Sequence, residues 1–180
     1  MLRILPHLLT ASRGVTGLGV AWCLLFADGR EGLAFGLFAA AALTDLIDGW
    51  LARTLNAPSG WGDLLDPLAD KMLYSLSWVA LGLRGWAPWW LVWPSLLRHA
   101  IVAAVWLLSR RRGLEWPASV AGQLTASFEG TALGLLLFHG PFLEVHWPTV
   151  GVVTGCIGLA LSIGSALGYV LLGPRQPAPQ

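Results

Sequence analysis

The chain has 180 residues, of which 56% are hydrophobic and 12% are charged, and its mean hydropathy is +0.65. This composition excludes an ordinary soluble domain and indicates a polytopic membrane protein. The net charge of +1 gives no reason to expect nucleic acid as a partner. Cys23 and Cys156 both fall in apolar runs, so we expect small buried side chains rather than a disulfide or a metal pair.

Six apolar stretches have the length of about 20 residues that crosses a bilayer. They predict an all-α integral membrane protein with six transmembrane helices, preceded by a short N-terminal interfacial segment. We recognise no removable signal peptide and no internal repeat, and expect one domain over 1–180 with a flexible tail at 173–180. Asn56 to Gly60 is predicted to break the chain between the second and third helices, and Asp63 to cap the third. The predicted helices are 8–26, 32–53, 63–83, 89–108, 118–139 and 149–172.

Acidic residues concentrate where the second helix ends and the third begins, since five of the chain's ten lie between residues 44 and 71. Asp45 and Asp48 are three residues apart, and Asp66 and Asp70 are four apart. On helices, each pair is therefore expected to lie on one face. Because a short loop joins the two helices, the four carboxylates can converge.

Two chemistries would account for four carboxylates in an apolar chain. Acidic side chains can line a pathway for protons or ions through a bilayer. They can also bind two hard cations such as Mg²⁺ or Mn²⁺, about 4 Å apart, which would clamp a phosphate or pyrophosphate. A solvated acidic face would be expected to carry more basic partners than Arg53 and Lys71. Spacing alone leaves both chemistries open.

The basic residues predict the orientation of the chain in the membrane. With a cytoplasmic amino terminus, the loops on the far side hold only Arg30 and Arg84. The loops and ends on the cytoplasmic side hold Arg3, Arg53, the cluster Arg110 to Arg112, and Arg175. The positive-inside rule then places the acidic cluster at the cytoplasmic face. An aromatic belt without chemistry is expected at the opposite boundary, from Trp86, Trp89, Trp90 and Trp147.

The acidic segment resembles the signature of the CDP-alcohol phosphotransferases, D-x2-D-G-x2-A-R-x8-G-x3-D-x3-D. The eight fixed positions are filled without departure, by Asp45, Asp48, Gly49, Ala52, Arg53, Gly62, Asp66 and Asp70. The resemblance implies a six-helix membrane enzyme that moves the phosphatidyl group of CDP-diacylglycerol onto a small alcohol acceptor and releases CMP. It also implies a homodimer in a bacterial inner (cytoplasmic) membrane, with an active site that faces the cytoplasm.

The same resemblance implies a role for each signature residue. Two divalent cations, Mg²⁺ or Mn²⁺, would be held by Asp45, Asp48, Asp66 and Asp70. Asp70 would also act as the general base, because an acceptor hydroxyl is a weak nucleophile until its proton is removed. The CDP group would contact Asp45, Asp48, Gly49, Ala52, Arg53, Gly62 and Asp66. Among these, the small residues would make room for the nucleotide, and Arg53 would support the site near the phosphates.

Weaker signals indicate the acceptor. Residues 6–13, P-H-L-L-T-A-S-R, are similar to the opening of the glycerophosphate-type synthases of this family, with His7 where Asn is usual. Arg98 falls inside the fourth helix, where an arginine is costly unless it is paired or binds an anion. In such synthases an arginine there helps to bind the acceptor's phosphate. We therefore expect glycerol 3-phosphate as the acceptor, with Arg98 and Arg110 as acceptor-binding residues.

Three residues keep other acceptors open. His99 stands where these synthases commonly have Glu, and Gln123 replaces the Lys of their G-K-x-x-T stretch. Glu129 is either the partner of Arg98 or a hydrogen-bonding group in the acceptor pocket. Inositol phosphate, serine and phosphatidylglycerol therefore remain alternative acceptors, and a cation transporter remains the alternative from a different class of protein.

Overall fold

The computed structural model describes the backbone of residues 5–55, 62–111, 120–139 and 145–172, and the side chains of residues 13–44, 71–109, 120–139 and 145–165. The described part of the chain is all-helical, as predicted. The helices, in chain order, are α1 (Leu5–Phe26), α2 (Glu31–Leu55), α3 (Gly62–Leu83), α4 (Trp89–Arg111), α5 (Val120–Leu137) and α6 (Trp147–Leu172).

The lengths and surfaces of the helices suit a bilayer. The shortest helix has 18 residues and the longest 26, which is about 27 to 39 Å at 1.5 Å per residue against about 30 Å of hydrocarbon. Within the described residues, two stretches are long and apolar enough to cross a membrane, Trp89–Ser109 and Trp147–Ser165. Large apolar side chains are exposed on all six helices, among them Trp22, Trp93 and Ile163. A surface of this kind is expected against lipid.

Two close helix contacts depend on glycine. Helix α1 packs against both α2 and α3, and at Gly17 an added Cβ would lie 2.9 Å from the Cα of Leu73 on α3. Helices α5 and α6 approach as closely at Gly151, where a Cβ would lie 2.8 Å from the Cγ of Leu136. Small residues let membrane helices pack backbone to backbone. Gly17 therefore sets the distance between α1 and the helix that carries Asp66 and Asp70.

A pair of turns at one end of the bundle is joined by a branched ion pair. Arg84, which follows α3, donates to Asp28 at 3.1 Å and to Glu31 at 2.9 Å, both in or beside the turn between α1 and α2. The two turns contain Gly29 and Gly85, with φ of 77° and 74°. Glycine adopts this left-handed conformation without a steric penalty. The ion pair therefore fixes the α1–α2 turn against the α3–α4 turn.

An aromatic contact extends this end of the bundle to the connection between α5 and α6. The ring of Trp86 stacks on that of His139, with centroids 3.8 Å apart and an angle of 4° between the planes. Partial burial lowers the pKa of His139 below its ordinary value, and the neighbouring His146 lowers it further. The tryptophans predicted to form a belt lie in or beside these connections, namely Trp86, Trp89, Trp90 and Trp147.

The predicted helix boundaries are confirmed to within three residues. The largest differences are that α4 extends to Arg111 and that α1 begins at Leu5, so the last part of the expected interfacial segment belongs to the helix. Pro6 is compatible with that start, because a helix tolerates proline in its first turn. Asp63 was wrongly predicted to cap α3, which already begins at Gly62; an acidic residue in the first turn still interacts favourably with the helix dipole. The predicted break at 56–60 and the tail at 173–180 lie outside the described residues.

Candidate active site

The signature residues lie on the two helices that flank the connection 56–61. Five signature residues lie on the C-terminal half of α2, and three lie on the N-terminal half of α3. These are Asp45, Asp48, Gly49, Ala52 and Arg53 on α2, and Gly62, Asp66 and Asp70 on α3. The backbone is helical through both stretches. The eight side chains lie outside the described residues, so the convergence of the four carboxylates stays a prediction.

The residues present suit hard cations by their chemistry. Among the side chains that the structure describes, no group of three His, Cys, Asp or Glu could hold a metal ion, and the four aspartates are not among those side chains. The helical backbone keeps Asp45 within one turn of Asp48, and Asp66 within about one turn of Asp70. Carboxylate oxygens are the ligands that Mg²⁺ and Mn²⁺ prefer. The four aspartates are thus the residues that would hold such ions.

A buried polar cluster joins α3, α4 and α5 near the middle of these helices. Glu129, only 6% exposed, stands at its centre. Its Oε2 accepts a hydrogen bond from Nη1 of Arg98, and its Oε1 lies 3.1 Å from Nε1 of Trp78 and 3.0 Å from Nε2 of His99. The other ring nitrogen of His99 lies 3.2 Å from the hydroxyl of Ser75. We call these five residues the Glu129 cluster.

In the Glu129 cluster, the positive charge of Arg98 is paired with the negative charge of Glu129, and hydrogen-bond donors face acceptors. The Arg98 and Glu129 side chains are 15% and 8% exposed, respectively, and charges at this depth need a partner. An ionised carboxylate only accepts hydrogen bonds, so His99 presents an N–H at Nε2. When the imidazole is neutral, its Nδ1 accepts from the hydroxyl of Ser75. The contact with Glu129 uses Nη1 of Arg98, so Nη2 and Nε are not part of that ion pair.

The Glu129 cluster lies close to the aspartate-bearing part of α3. Ser75 follows Asp70 by five residues, about 7.5 Å along the helix axis. Helix α3 packs against both α4 and α5, which brings Arg98 and Glu129 to the depth of Ser75. The cluster is therefore about one and a half turns deeper in the bundle than Asp70.

The two predicted acceptor-binding residues stand at different depths. Arg98 belongs to the Glu129 cluster, whereas Arg110 lies in the last turn of α4, about 18 Å further along the axis. The side chain of Arg110 and the whole of Arg112 lie outside the described residues. Of the two roles left open for Glu129, the structure shows the pairing with Arg98. Gln123 is exposed on α5.

Two members of the cluster, Ser75 and Trp78, are not among the site residues predicted from the sequence. Trp78 is fully buried and lies five residues before the end of α3, whereas the tryptophans of the predicted belt lie in or beside the connections. A buried tryptophan usually needs an acceptor for its N–H. The depth of Trp78 was thus the available signal, although no sequence pattern could say that Glu129 would be the acceptor.

Comparison with known proteins extends the resemblance beyond the signature. The sequence pattern of the CDP-alcohol phosphatidyltransferase family matches residues 3–164. A Mycobacterium tuberculosis protein named "Probable phosphatidylglycerophosphate synthase" is 34% identical over 134 residues, which is 73% of this chain and 62% of that protein. The CDP-diacylglycerol--glycerol-3-phosphate 3-phosphatidyltransferase of Bacillus subtilis is 35% identical over 113 residues, 62% of this chain and 58% of its own length.

A third relative carries a different name. The cardiolipin synthase (CMP-forming) of Homo sapiens is 36% identical over 118 residues, 65% of this chain and 38% of that protein. The matched region thus spans less than two thirds of the Mycobacterium tuberculosis, Bacillus subtilis and human proteins. The family pattern, by contrast, covers most of this chain, including the whole signature and the Glu129 cluster. The chain belongs to the CDP-alcohol phosphatidyltransferase family.

Proposed function

We propose that the protein transfers the phosphatidyl group of CDP-diacylglycerol to glycerol 3-phosphate and releases CMP. The observation that carries the proposal is the complete signature, held on the helical backbones of α2 and α3 in a chain of this family. The names of the bacterial relatives support glycerol 3-phosphate as the acceptor.

The reaction is a substitution at the phosphorus atom that joins the diacylglycerol phosphate to CMP. Asp70 takes the proton from the acceptor hydroxyl while its oxygen forms a new bond to that phosphorus. The bond to the CMP oxygen breaks, and CMP leaves with the electron pair. Gly49, Ala52 and Gly62 would leave space for the nucleotide, and Arg53 would support the site near its phosphates.

The aspartates would carry out this reaction together with two divalent cations. Asp45, Asp48, Asp66 and Asp70 are the proposed ligands. Bound Mg²⁺ or Mn²⁺ supplies positive charge that offsets the charge on the pyrophosphate and helps CMP to leave. Asp70 therefore has two proposed roles, as a ligand and as a base.

Arg98 and Arg110 are proposed to bind the acceptor. A guanidinium suits a phosphate because its planar set of N–H groups matches the phosphate oxygens. Arg98 lies about one and a half helical turns deeper than Asp70, so an acceptor whose hydroxyl lies at Asp70 can direct its phosphate towards Arg98. Arg110, near the end of α4, would attract the acceptor as it approaches.

Phosphatidylglycerol is the second candidate acceptor. The match to human cardiolipin synthase (CMP-forming) favours it. Both acceptors would react through the same aspartates, so the choice between them depends on the acceptor pocket.

The membrane arrangement is also a proposal. We infer that all six helices span the bilayer of a bacterial inner membrane, with the aspartates at the cytoplasmic face. The positive-inside distribution of arginines supports this orientation. CDP-diacylglycerol would then reach the site sideways from the lipid, with its acyl chains in hydrocarbon and its nucleotide near the aspartates. A homodimer is the expected assembly.

The decisive experiment is an acceptor panel. The purified protein would be placed in vesicles with CDP-diacylglycerol and Mg²⁺ or Mn²⁺, and CMP release and the lipid product would be measured with each acceptor. Glycerol 3-phosphate is expected to give CMP and phosphatidylglycerophosphate in equal amounts. CMP release with phosphatidylglycerol, inositol phosphate or serine but not with glycerol 3-phosphate would reject the proposed acceptor. Cation flux without any CMP release would reject the enzyme.

A further inference from the structure

We propose that Glu129 is a positioning residue that sets the protein's affinity and selectivity for a phosphorylated acceptor. Its carboxylate holds the guanidinium of Arg98 in the orientation that binds the acceptor's phosphate, and it does so without contacting the acceptor. This inference rests on the proposed function, since it concerns the acceptor of that reaction.

The first argument is that Glu129 is itself fixed. One of its oxygens lies within hydrogen-bond reach of both Trp78 and His99, at 3.1 and 3.0 Å. Those two partners come from different helices, α3 and α4. A carboxylate held by donors on two helices has little rotational freedom, and it transfers that restriction to the arginine that bonds to its other oxygen.

The second argument is that this ion pair leaves part of the guanidinium for another anion. The contact with Glu129 uses Nη1 of Arg98. Arginine presents five N–H donors in one rigid plane, so holding Nη1 at the Glu129 carboxylate restricts the directions that the donors on Nη2 and Nε can take. Orientation matters here because a flexible arginine side chain must be ordered before a phosphate can form two parallel hydrogen bonds with it.

The third argument concerns His99. Its ring is 5% exposed and lies between Glu129 and the hydroxyl of Ser75. It therefore ties the Glu129 carboxylate to α3 through Ser75, five residues after Asp70. The positions of the acceptor's phosphate and of its reacting hydroxyl are linked through this short stretch of α3.

The test compares steady-state kinetics of the wild type and Glu129→Gln in vesicles. Glutamine keeps the size and a hydrogen-bonding oxygen but loses the charge that holds Arg98. We expect KM for glycerol 3-phosphate to rise about tenfold or more, with KM for CDP-diacylglycerol within twofold of the wild type. We also expect the preference for glycerol 3-phosphate over glycerol to fall. Glu129→Asp, which restores the charge on a shorter side chain, is expected to recover part of the affinity.

Two further variants separate positioning from a general structural role. Trp78→Phe removes one donor to Glu129 and keeps an aromatic ring, so it should raise KM for glycerol 3-phosphate by a smaller factor. Ser95→Ala is the matched control, because Ser95 is buried on α4, one turn before His99, and bonds only to the carbonyl of Leu91 among the contacts described. Its kinetic constants should stay within twofold of the wild type.

The outcomes are distinguishable. If Glu129→Gln has the same kcat and KM values as the wild type, this inference is overturned and the proposed function still stands. A parallel loss of affinity for both substrates, or a lower kcat with unchanged KM values, shows a structural role and also overturns it. Wild-type protein that releases no CMP with glycerol 3-phosphate overturns the proposed acceptor and this inference together. If Glu129→Gln does not fold, Trp78→Phe and Glu129→Asp decide by the same criteria.

Discussion

The close approach of α1 to α3 predicts that Gly17→Ala destabilises the protein. The added methyl carbon would lie 2.9 Å from the Cα of Leu73 and 3.3 Å from the Cδ1 of Leu76. The first of these atoms belongs to the backbone and cannot move alone, so the two helices must separate. Overpacking of this kind typically costs about 1–3 kcal/mol.

This cost converts into a measurable shift of the unfolding temperature. For a chain of 150 to 250 residues, about 1 kcal/mol corresponds to about 2–4 °C, so we expect Gly17→Ala to unfold several degrees below the wild type. Thermal unfolding in detergent would be followed with a thiol-reactive dye, because Cys23 is free and buried and becomes reactive when the helices part. Turnover should fall as well, since the displaced helix carries Asp66 and Asp70.

The same helix offers a matched control. At Gly19 an added Cβ would meet only the end of the Leu37 side chain, at 3.4 Å, which is close to ordinary contact and easily relieved. Gly19→Ala should therefore unfold within about 1 °C of the wild type, or slightly above it because alanine favours helix. If Gly17→Ala and Gly19→Ala unfold at the same temperature, α1 and α3 are not in backbone contact at Gly17 and the reasoning fails.

Three further predictions concern the site and the far end of the bundle. Asp70→Asn is expected to abolish CMP release at an unchanged unfolding temperature, while Asp63→Asn, in the same segment but outside the signature, keeps turnover; activity in Asp70→Asn would exclude it as the base. Chelation with EDTA should stop CMP release, and added Mg²⁺ or Mn²⁺ should restore it; turnover that survives chelation would argue against divalent cations. Because the pKa of His139 is lowered on folding from its ordinary value of 6.5, its contribution to stability is present above about pH 6.5 and is lost as the pH falls through its folded value. The unfolding temperature should thus drop less between pH 7.5 and pH 5.5 in His139→Phe than in the wild type. Phenylalanine keeps a ring against Trp86, so an equal drop in the two proteins would contradict this role of His139.

The sequence was sufficient to predict the helices because each is a long apolar run between breakers that act locally. Pro88 precedes α4, and Gly29 and Gly85 lie in turns that require a positive φ. Such signals act within a few residues of the chain, so they can be read without knowing the tertiary contacts. The boundaries that differed most, at Leu5 and Arg111, are helix ends, where one turn more or less changes few contacts.

The partner of Glu129 could not be predicted for the opposite reason. Arg98 and Glu129 are 31 residues apart on different helices, and nothing in either apolar run specifies which helices will be neighbours. Trp78 is a further 20 residues before Arg98, and its depth in α3 indicates that its N–H needs an acceptor without indicating which residue that is. The contacts between α3, α4 and α5 therefore had to come from the structure, whereas the signature could be recognised because its eight positions lie within 26 residues.

The energetics of the Glu129 cluster support a functional origin for its charges. Placing a charged side chain at the centre of a membrane helix costs about 2.5–3.5 kcal/mol on insertion scales, so in the proposed six-span arrangement Arg98 and Glu129 would together cost about 5–7 kcal/mol. A hydrogen bond between membrane helices returns on average about 0.6 kcal/mol and at most about 1.7 kcal/mol, and three such contacts reach the Glu129 carboxylate. Even at the upper limit, these contacts only balance the cost, and apolar side chains would pack there without it. Stability alone thus gives no reason for a guanidinium at this depth, whereas a phosphate to be bound near Asp70 does.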